Sequence, residues 1–485
     1  MYMKYRMIKN LRNSQWLLTL LLSLAAMTAQ ADVKPAGIFS SDMVLQRNRN
    51  IVIWGWADKG ERVSITFNKL TKKIKADVSG KWKLVFPPMQ AGGPYDMKVQ
   101  GKNVLTFNNI LIGDLWICSG QSNMGMSVKN SNDAEKEIAE ANFPEIRLMN
   151  VPRNMPSEPV DDIKTASWKL CSPETIPGFS AVAYFFGREV YRELDIPIGL
   201  IHTSWGGSNV EAWTSMEYLT RVEKYRNYPE VLKETVGKQE QGADIHPNKI
   251  HTSLFNGMIN PLVNLPVKGV IWYQGESNGY EGMLYRALFP NMIQNWRDKW
   301  KQPDLPFLFV QLANYKEVPE TPGNSNWAKL REAQLMTLSV PNTAMTVAID
   351  VGDAKDIHPK DKQTVGYRLS RNALKLVYGK PVADSGPIYT SMKTNGNKII
   401  LNFKHVEGGL VAKDRYGYLK SFAIAGQDKK FYWAKAMIKG DQVVVYCDQV
   451  SHPMAVRYAW AENPGDANLY NTEGFPASPF RTDDW

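Results

Sequence analysis

The chain has 485 residues, 44% of them hydrophobic, with 58 Lys and Arg against 48 Asp and Glu, for a formal net charge of +10. This length exceeds what one hydrophobic core organises and predicts two or three domains. The basic excess contains no Lys/Arg run, so it indicates a solvated surface and excludes an evident nucleic-acid footprint. Three widely spaced cysteines form no disulfide framework and no zinc motif, so we expect buried thiols.

Residues 1–31 have the pattern of a cleavable secretory signal peptide. Four basic residues precede an apolar run at residues 16–27, and small residues precede a cleavage position after Ala31. A run of about a dozen apolar residues is too short to span a bilayer, which takes about 20. We therefore expect a secreted or periplasmic protein with no membrane insertion after cleavage. Its mature chain of 454 residues (485 minus 31) carries a formal charge of +6 (+10 minus four).

The remaining chain divides into three regions by pattern. Residues 32–108 contain short alternating strands separated by turn residues, which predicts an N-terminal β-sandwich. Over residues 109–380, apolar strands alternate with amphipathic helices, which predicts an α/β domain with a mostly parallel sheet. Beyond that point the helical patterns stop, and residues 381–485 predict a C-terminal β-sandwich-like domain.

The predicted elements of the middle region follow one another in regular order. A first strand ends before residue 120, a helix covers 181–194, and a second strand covers 196–203. A polar segment at 217–261 is predicted to be an excursion of loops and helices over the site. The later elements are a strand at 267–273, a helix at 285–300, a strand at 306–312, a helix at 327–338, a strand at 344–350 and a helix at 362–378.

Polar motifs follow four of these strands. They are GQSN at 120–123, SWGGS at 204–208, QGESN at 274–278 and DIHP at 356–359. Ligands of an α/β sheet bind outside the carboxyl ends of its strands, so these motifs should meet at one edge. A hydroxyl, an imidazole, a carboxylate and N–H donors at one edge are the parts of a serine esterase. Ser122 is the predicted nucleophile.

Two of the six histidines lie in the same tetrapeptide, DIHP, at 244–247 and 356–359. His358 follows an apolar strand and precedes an amphipathic helix, so we predict it to be the general base. His246 has no preceding strand, and we interpret it, with His251, as a surface or substrate-loop residue. His202 lies within a strand and is predicted to be a core residue.

The acid that orients the base is less sharply defined by the sequence. Asp356 can reach the His358 imidazole across a turn and is our preferred choice, while Asp350, Asp353 and Glu276 remain alternatives.

The predicted oxyanion donors are backbone and side-chain N–H groups of these same motifs. The backbone N–H of Ser122 and of a glycine in the pair at 206–207 are the first candidates, with a side-chain amide from Gln274 or Asn278.

These motifs resemble those of the sialate O-acetylesterase family within the SGNH hydrolase superfamily, from about residue 37 to the end of the chain. The resemblance implies a three-layer SGNH-type core with a parallel sheet. It also implies a serine esterase, independent of metal and cofactor, that removes acetyl groups from sugars through an acetyl-enzyme. The implied substrate is above all the 9-O-acetyl ester of sialic acid, with Ser122 as nucleophile and His358 as base.

Two departures from the wider superfamily limit the transfer of residue roles. The third block is usually Gly-x-Asn-Asp, whereas this chain has Gly275-Glu-Ser-Asn, so Gln274 is our first choice of amide donor beside Gly207. The last block is usually Asp-x-x-His, whereas this chain has Asp-x-His, which leaves the third triad member open.

The substrate pocket is predicted to be lined by polar residues of the same motifs and by one arginine that suits the sialic acid carboxylate: Gln121, Asn123, Glu276, Asn278 and Arg331. Two other functions remain open. An acetylxylan esterase or another carbohydrate acetylesterase would share the Gln-Gly-Glu block. A non-catalytic carbohydrate-binding protein would bind sugar without ester hydrolysis.

Overall fold

A computed structural model describes residues 32–164, 166–240 and 250–485. The predicted signal peptide and His246 lie outside the described residues. Within the described residues, no helix combines the length and apolarity needed to cross a membrane. The chain forms two compact units. The described part of the first unit comprises residues 32–36, 52–85 and 96–107, and the second comprises 37–51, 86–95 and 108–485.

The first eight strands precede the GQSN motif in the chain. They are β1 (Lys34–Pro35), β2 (Val44–Gln46), β3 (Ile51–Trp56), β4 (Arg62–Phe67), β5 (Leu70–Lys75), β6 (Lys81–Phe86), β7 (Gly92–Gln100) and β8 (Val104–Gly120). In the first unit, β1, β3 and β6 form one small sheet, and β4 pairs antiparallel with β5 and β7. Alternate side chains of β4 and β6 are buried, as expected for strands with one solvated face.

The second unit is built on a mostly parallel sheet with the strand order β10-β9-β11-β8-β12-β13-β14. The additional strands are β9 (Phe143–Asn150), β10 (Lys169–Cys171), β11 (Ile198–Ser204), β12 (Gly269–Tyr273), β13 (Phe307–Val310) and β14 (Thr343–Thr346). All neighbours are parallel except the edge strand β10. Ser204 and Tyr273 both lie opposite Gly120 in the register, so the carboxyl ends of three strands coincide.

Strands β9 and β10 are not predicted by the hydrophobic pattern of the sequence. Pro144, Glu145 and Arg147 interrupt the apolar pattern of β9, so its apolar residues do not form a continuous run, although residues 146–149 are all buried. Tertiary pairing with β11 stabilises this strand despite its weak local signal.

Eight helices are described in chain order. They are α1 (Ser122–Gly125), α2 (Ala134–Ala139), α3 (Ala181–Leu194), α4 (Met216–Leu219), α5 (Tyr228–Glu240), α6 (Gly282–Trp300), α7 (Asn326–Met336) and α8 (Lys362–Leu376). Shorter 3-10 or π turns occur at Val128–Asn130, Val210–Trp213, Glu223–Tyr225, Phe255–Ile259, Asn260–Leu262, Glu276–Asn278 and Thr337–Ser339. The Asp361 carboxylate caps α8 by accepting the Thr364 N–H at 2.9 Å.

Helices cover both faces of the parallel sheet. On one face, Ile271 of β12 joins a buried apolar cluster with residues of α3 and α8. On the other face, the neighbouring Trp272 stacks on Phe289 of α6 with ring centroids 6.2 Å apart. Gly366 allows α8 to approach α3 closely, since a Cβ there would lie 2.8 Å from the Phe186 backbone nitrogen. Because helices pack on both faces of the sheet, its strands are fixed in position, and so are the starting points of the loops at their carboxyl ends.

The C-terminal strands form three small sheets, ordered β15-β16-β21-β20, β19-β18-β22-β24 and β17-β23. Their bounds are β15 (Ile388–Asn395), β16 (Lys398–Lys404), β17 (Leu410–Ala412), β18 (Phe422–Ala425), β19 (Phe431–Trp433), β20 (Lys435–Lys439), β21 (Gln442–Tyr446), β22 (Ala455–Tyr458), β23 (Leu469–Asn471) and β24 (Phe480–Arg481).

These strands belong to the second unit, whereas the sequence predicts a separate domain over 381–485. Buried polar contacts connect them to the α/β core. Gln311 donates to the Ser478 hydroxyl at 2.9 Å, and the Tyr470 hydroxyl donates to Asp350 at 3.0 Å. Cys118 and Cys171 are buried, Cys447 is half-buried, and all three are free thiols.

Candidate active site

A tight turn at the end of β8 presents Ser122. The chain turns at Gly120, whose φ is +138°, a value that side chains rarely allow. A Cβ at Gly120 would lie 2.1 Å from the Tyr273 carbonyl oxygen, so only glycine fits beside β12. The close approach of β12 therefore requires glycine at position 120, and the turn at this glycine places Ser122 at the carboxyl edge of the sheet.

Ser122, His358 and Asp356 form a continuous hydrogen-bonded line. The Ser122 Oγ lies 2.9 Å from His358 Nε2, and His358 Nδ1 lies 3.2 Å from Asp356 Oδ1. A proton on Nδ1 that is donated to Asp356 leaves Nε2 free to accept the serine proton. The His358 backbone N–H also donates to Asp356 Oδ1 at 2.9 Å and holds the pKa of that carboxyl below its usual value.

The other carboxylates considered for this role have different partners. Asp350 forms an ion pair with Arg368 at 2.7 Å, and Asp353 accepts the backbone N–H of Lys355 at 2.7 Å. Glu276 accepts a hydrogen bond from the Asn123 amide. Asp356 is thus the carboxylate that contacts the His358 ring.

Backbone N–H groups beside Ser122 are available to an oxyanion. Within the part of the chain that the structure describes, the N–H groups of Ser122, Gly206 and Gly207 donate to no protein acceptor. A Cβ built at Gly206 would lie 3.5 Å from the Ser122 Cβ, which places this turn directly beside the nucleophile. The pair at 206–207 leaves room for a reacting carbonyl oxygen, as an oxyanion hole requires.

The structure does not bring Gln274 to the nucleophile. Gln274 is fully buried, and its amide donates to Asn278 Oδ1 at 2.7 Å and to the Ser208 carbonyl at 3.3 Å. Gln121 instead accepts two backbone N–H groups on its side-chain oxygen, and its amide nitrogen has no acceptor among the described residues. Gln121, next to Ser122 in the chain, therefore keeps an amide nitrogen without a protein acceptor in the described chain, whereas the Gln274 amide is fully bonded.

A buried polar cluster lies behind the nucleophile and involves a residue that the sequence analysis missed. Asn123 donates to Glu276 and, at 3.1 Å, to the Ile357 carbonyl, while Lys362 Nζ donates to Asn123 Oδ1 at 2.6 Å. Burial lowers the pKa of Lys362 to about 7 and raises the pKa of Glu276. Asn123 thus connects the Ser122 turn to the His358 loop and does not line the pocket. The available sequence signal was a lysine four residues after His358.

Two more residues predicted to bind substrate are used by the fold. Asn278 is buried and bonds to the Val210 N–H, Gln274 and Glu211. Arg331 is fully buried, and its guanidinium donates to four carbonyl oxygens, those of residues 312, 313, 461 and 462. Both side chains are buried and neither lines the cavity at Ser122, so their expected role in substrate binding is corrected to a structural one.

The other histidines also have defined surroundings. Both ring nitrogens of His202 form hydrogen bonds. Nδ1 lies 2.7 Å from Asn150 Oδ1, and Nε2 lies 2.7 Å from Ser204 Oγ. Desolvation lowers the pKa of His202 to about 4, so this imidazole is neutral, although the residue is half-buried rather than fully enclosed. His251 packs against Tyr225 and Tyr228.

A cavity of about 680 Å³ opens at Ser122. Three cations line it, Arg153, Lys129 and Lys360, and Asp356 is its one carboxylate within the described residues. The Arg153 guanidinium lies 5.2 Å from the centre of the Trp205 ring, and none of the three cations forms an ion pair among the described residues. Arg153 follows β9, a strand whose local pattern is weak, so no sequence signal indicated that this side chain lies at the site. No group of three metal-binding side chains occurs in the described ranges.

Comparison with known proteins places this site in a family. Residues 112–375 match the sequence model of one protein family, the sialic acid-specific acetylesterases, which are carbohydrate esterases. Sialate O-acetylesterase of Homo sapiens is 31% identical over 498 residues, with 92% of this chain and 91% of that protein covered. The same enzyme of Mus musculus is 31% identical over 529 residues, with 95% and 96% covered.

Among solved structures, the crystal structure of a carbohydrate acetylesterase from Xanthomonas citri is 37% identical to this chain, with a TM-score of 0.86. The similarity covers 94% of this chain and 100% of that one. The resemblance seen in the motifs is thereby confirmed over nearly the whole sequence. The chain belongs to the sialic acid-specific acetylesterase family of carbohydrate esterases and is a carboxylic ester hydrolase.

Proposed function

We propose that this protein is a serine esterase that hydrolyses O-acetyl esters of sialic acids, with Ser122 as nucleophile, His358 as base and Asp356 as orienting acid. The observation that carries the proposal is the 2.9 Å contact between Ser122 Oγ and His358 Nε2 at the carboxyl edge of the sheet. The family and its relatives support the O-acetyl ester as substrate.

The proposed cycle has two halves. Ser122 attacks the acetyl carbonyl while His358 accepts its proton, and the N–H groups of Ser122 and of the pair at 206–207 stabilise the oxyanion. His358 then protonates the departing sugar oxygen, which leaves an acetyl-enzyme on Ser122. Water, activated by His358, attacks this ester and releases acetate. Each oxyanion donor contributes about 3 kcal/mol to transition-state stabilisation.

We also propose that the α/β core is of the SGNH type. The support is a parallel sheet covered by helices on both faces, with the serine, glycine and histidine motifs at its carboxyl edge. The third block departs from the usual pattern. In this proposal the Gln121 amide takes the place of the missing block-three asparagine, since Gln274 is bonded within the fold.

The charge of the cavity favours an acidic sugar over acetylated xylan. Sialic acid carries a carboxylate that is ionised at neutral pH, whereas xylan is neutral. Arg153, Lys129 and Lys360 line the cavity without ion pairs among the described residues. Of the three, we assign the carboxylate to Arg153, because its planar guanidinium suits bidentate binding and is placed against Trp205.

The nucleophile assignment predicts that Ser122→Ala loses at least about 1,000-fold in kcat on O-acetylated sialic acid, because no covalent intermediate can form. Acetate release measures the loss, and an unchanged thermal midpoint shows that the fold is intact. Ser127→Ala, in the same cavity but without contact to His358, is the matched control. Activity of Ser122→Ala within tenfold of wild type would contradict the assignment.

The assignment of Arg153 predicts a change in substrate preference. Arg153→Ala should lower the kcat/KM ratio of O-acetylated sialic acid to acetylated xylan oligomers by about tenfold, since one charge-assisted contact to the carboxylate is lost. Arg415→Ala removes an exposed arginine outside the cavity and serves as the control. An unchanged ratio would show that the carboxylate is bound elsewhere, and activity of the wild type on xylan alone would overturn the proposed substrate.

A further inference from the structure

A second cleft, of about 700 Å³, lies among the C-terminal strands, away from the residues of the catalytic line. Residues 321–324, strand β19 and Trp485 form its walls. Its lining contains four aromatic side chains, Phe431, Tyr432, Trp433 and Trp485. Aromatic faces in an open cleft suit the apolar faces of sugar rings.

Trp433 is the most open of these platforms. Its side chain is 45% exposed, although a tryptophan is usually buried. The indole N–H donates to the Glu320 carbonyl at 2.8 Å, so the ring is held in one orientation. Trp433 also lines a smaller cavity of about 260 Å³, so its side chain borders two openings.

The charge of this cleft is positive. Lys429, Lys430 and Arg457 line it, and no Asp or Glu is among its described lining residues. Arg457 is already paired with Asp483 at 2.7 Å. Lys429 and Lys430 form no ion pair within the described residues, and Lys430 Nζ lies 5.1 Å from the Tyr432 ring centre. The two lysines therefore supply the charge available to a ligand.

Polar groups complete the cleft. Asn324, Gln449 and Thr321 line it, and each offers donors and acceptors of the kind that bind sugar hydroxyls. The indole N–H of Trp485 is shielded from solvent and has no acceptor in the described part of the chain.

We propose that this cleft is a non-catalytic binding site for an acidic glycan, with Trp433 as stacking platform and Lys429 and Lys430 as the groups that contact its carboxylate. The fixed and exposed ring of Trp433 favours a carbohydrate, and lysines without an opposing acid among the described lining residues favour an anionic one. The volume of about 700 Å³ accommodates more than one sugar residue. The site would hold the esterase on sialylated chains, and it does not depend on the Ser122 assignment.

Binding of 3′-sialyllactose and of lactose to the full protein tests the proposal. Arg153→Ala is used as the background, so that the cavity at Ser122 contributes little to the signal. In this background we expect Trp433→Ala and, separately, Lys430→Glu to weaken 3′-sialyllactose binding at least tenfold by calorimetry. Lys430→Glu, which reverses the charge of this side chain, should leave the weaker binding of lactose unchanged, because lactose has no charge.

Tyr416→Ala is the matched control. Tyr416 is 74% exposed and lies outside the cleft. Thermal midpoints show whether each variant is folded, and Lys430→Glu keeps the test valid if Trp433→Ala is unstable. Undiminished sialyllactose binding by both variants would overturn the site. Equal affinity for lactose and sialyllactose would overturn its acidic specificity.

Discussion

Single side chains at the site divide into those that face a ligand and those that hold the others in place. Ser122 and His358 line the cavity, whereas Asn123 is buried between the loops that carry them. Lys362 donates to Asn123 from the first turn of α8, so its ammonium supports the geometry without touching substrate. We therefore expect Lys362 to be a positioning residue.

The charge of Lys362 makes stability depend on pH. Burial lowers its pKa to about 7 in the folded chain, whereas the unfolded chain keeps the usual value of 10.5. Between these values the unfolded chain binds more protons, so the stability contributed by this residue rises with pH, and the penalty of burial is greatest below pH 7. Lys362→Met removes that penalty along with the hydrogen bond to Asn123.

We expect the difference in unfolding free energy, Lys362→Met minus wild type, to fall steadily as the pH rises from about 7 to about 10. Urea unfolding at several pH values measures it. The same variant should lose about tenfold in kcat with little change in KM, because the His358 loop loses its anchor. A difference in unfolding free energy that does not change with pH would contradict the lowered pKa of Lys362.

At the scale of elements, Arg331 connects a helix of the catalytic core to the C-terminal strands. It lies on α7, and its guanidinium donates at 2.6 Å to the Ala461 carbonyl and at 2.9 Å to the Glu462 carbonyl, which follow β22. The same group donates to Leu312 and Ala313 after β13. A single side chain thus satisfies buried carbonyl groups of two distant chain segments.

Arg331→Met should lower the free energy of unfolding by about 3 to 5 kcal/mol, because four buried carbonyl oxygens lose their donor. Lys329→Met, on the same helix but without this network, is the control. Chemical denaturation measures the loss, and the KM for O-acetylated sialic acid of the folded variant should stay within twofold. A raised KM at wild-type stability would restore Arg331 as a substrate-binding residue.

For the whole molecule, the order of elements in the α/β region was predictable from local pattern, apart from β9 and β10. The helix expected at 181–194 is observed as Ala181–Leu194, and the one expected at 362–378 ends two residues earlier, at Leu376. Their periodic apolar faces and capping residues are local signals. The place of the C-terminal strands was not predictable, since it depends on contacts such as that between Gln311 and Ser478.

We propose that the protein is exported, to the periplasm or beyond the cell, and that it functions without residues 1–31. The support is the basic and apolar pattern of that segment and its small residues before Asp32. N-terminal sequencing of protein recovered outside the cytoplasm should begin at Asp32. Recovery of the full-length chain from the cytoplasm alone would contradict export.

The sequence by itself determined the family, the ester hydrolase class and most of the succession of strands and helices, because short motifs and hydrophobic periodicity are local properties. Only the tertiary structure decided which polar side chains face a ligand. Gln274 and Arg331 look available in the sequence, yet both are buried and donate to carbonyl groups that lie up to 66 and 131 residues away in the chain. Lys362 reaches Asn123 across 239 residues for the same reason: hydrogen-bond partners are set by the packing of strands and helices.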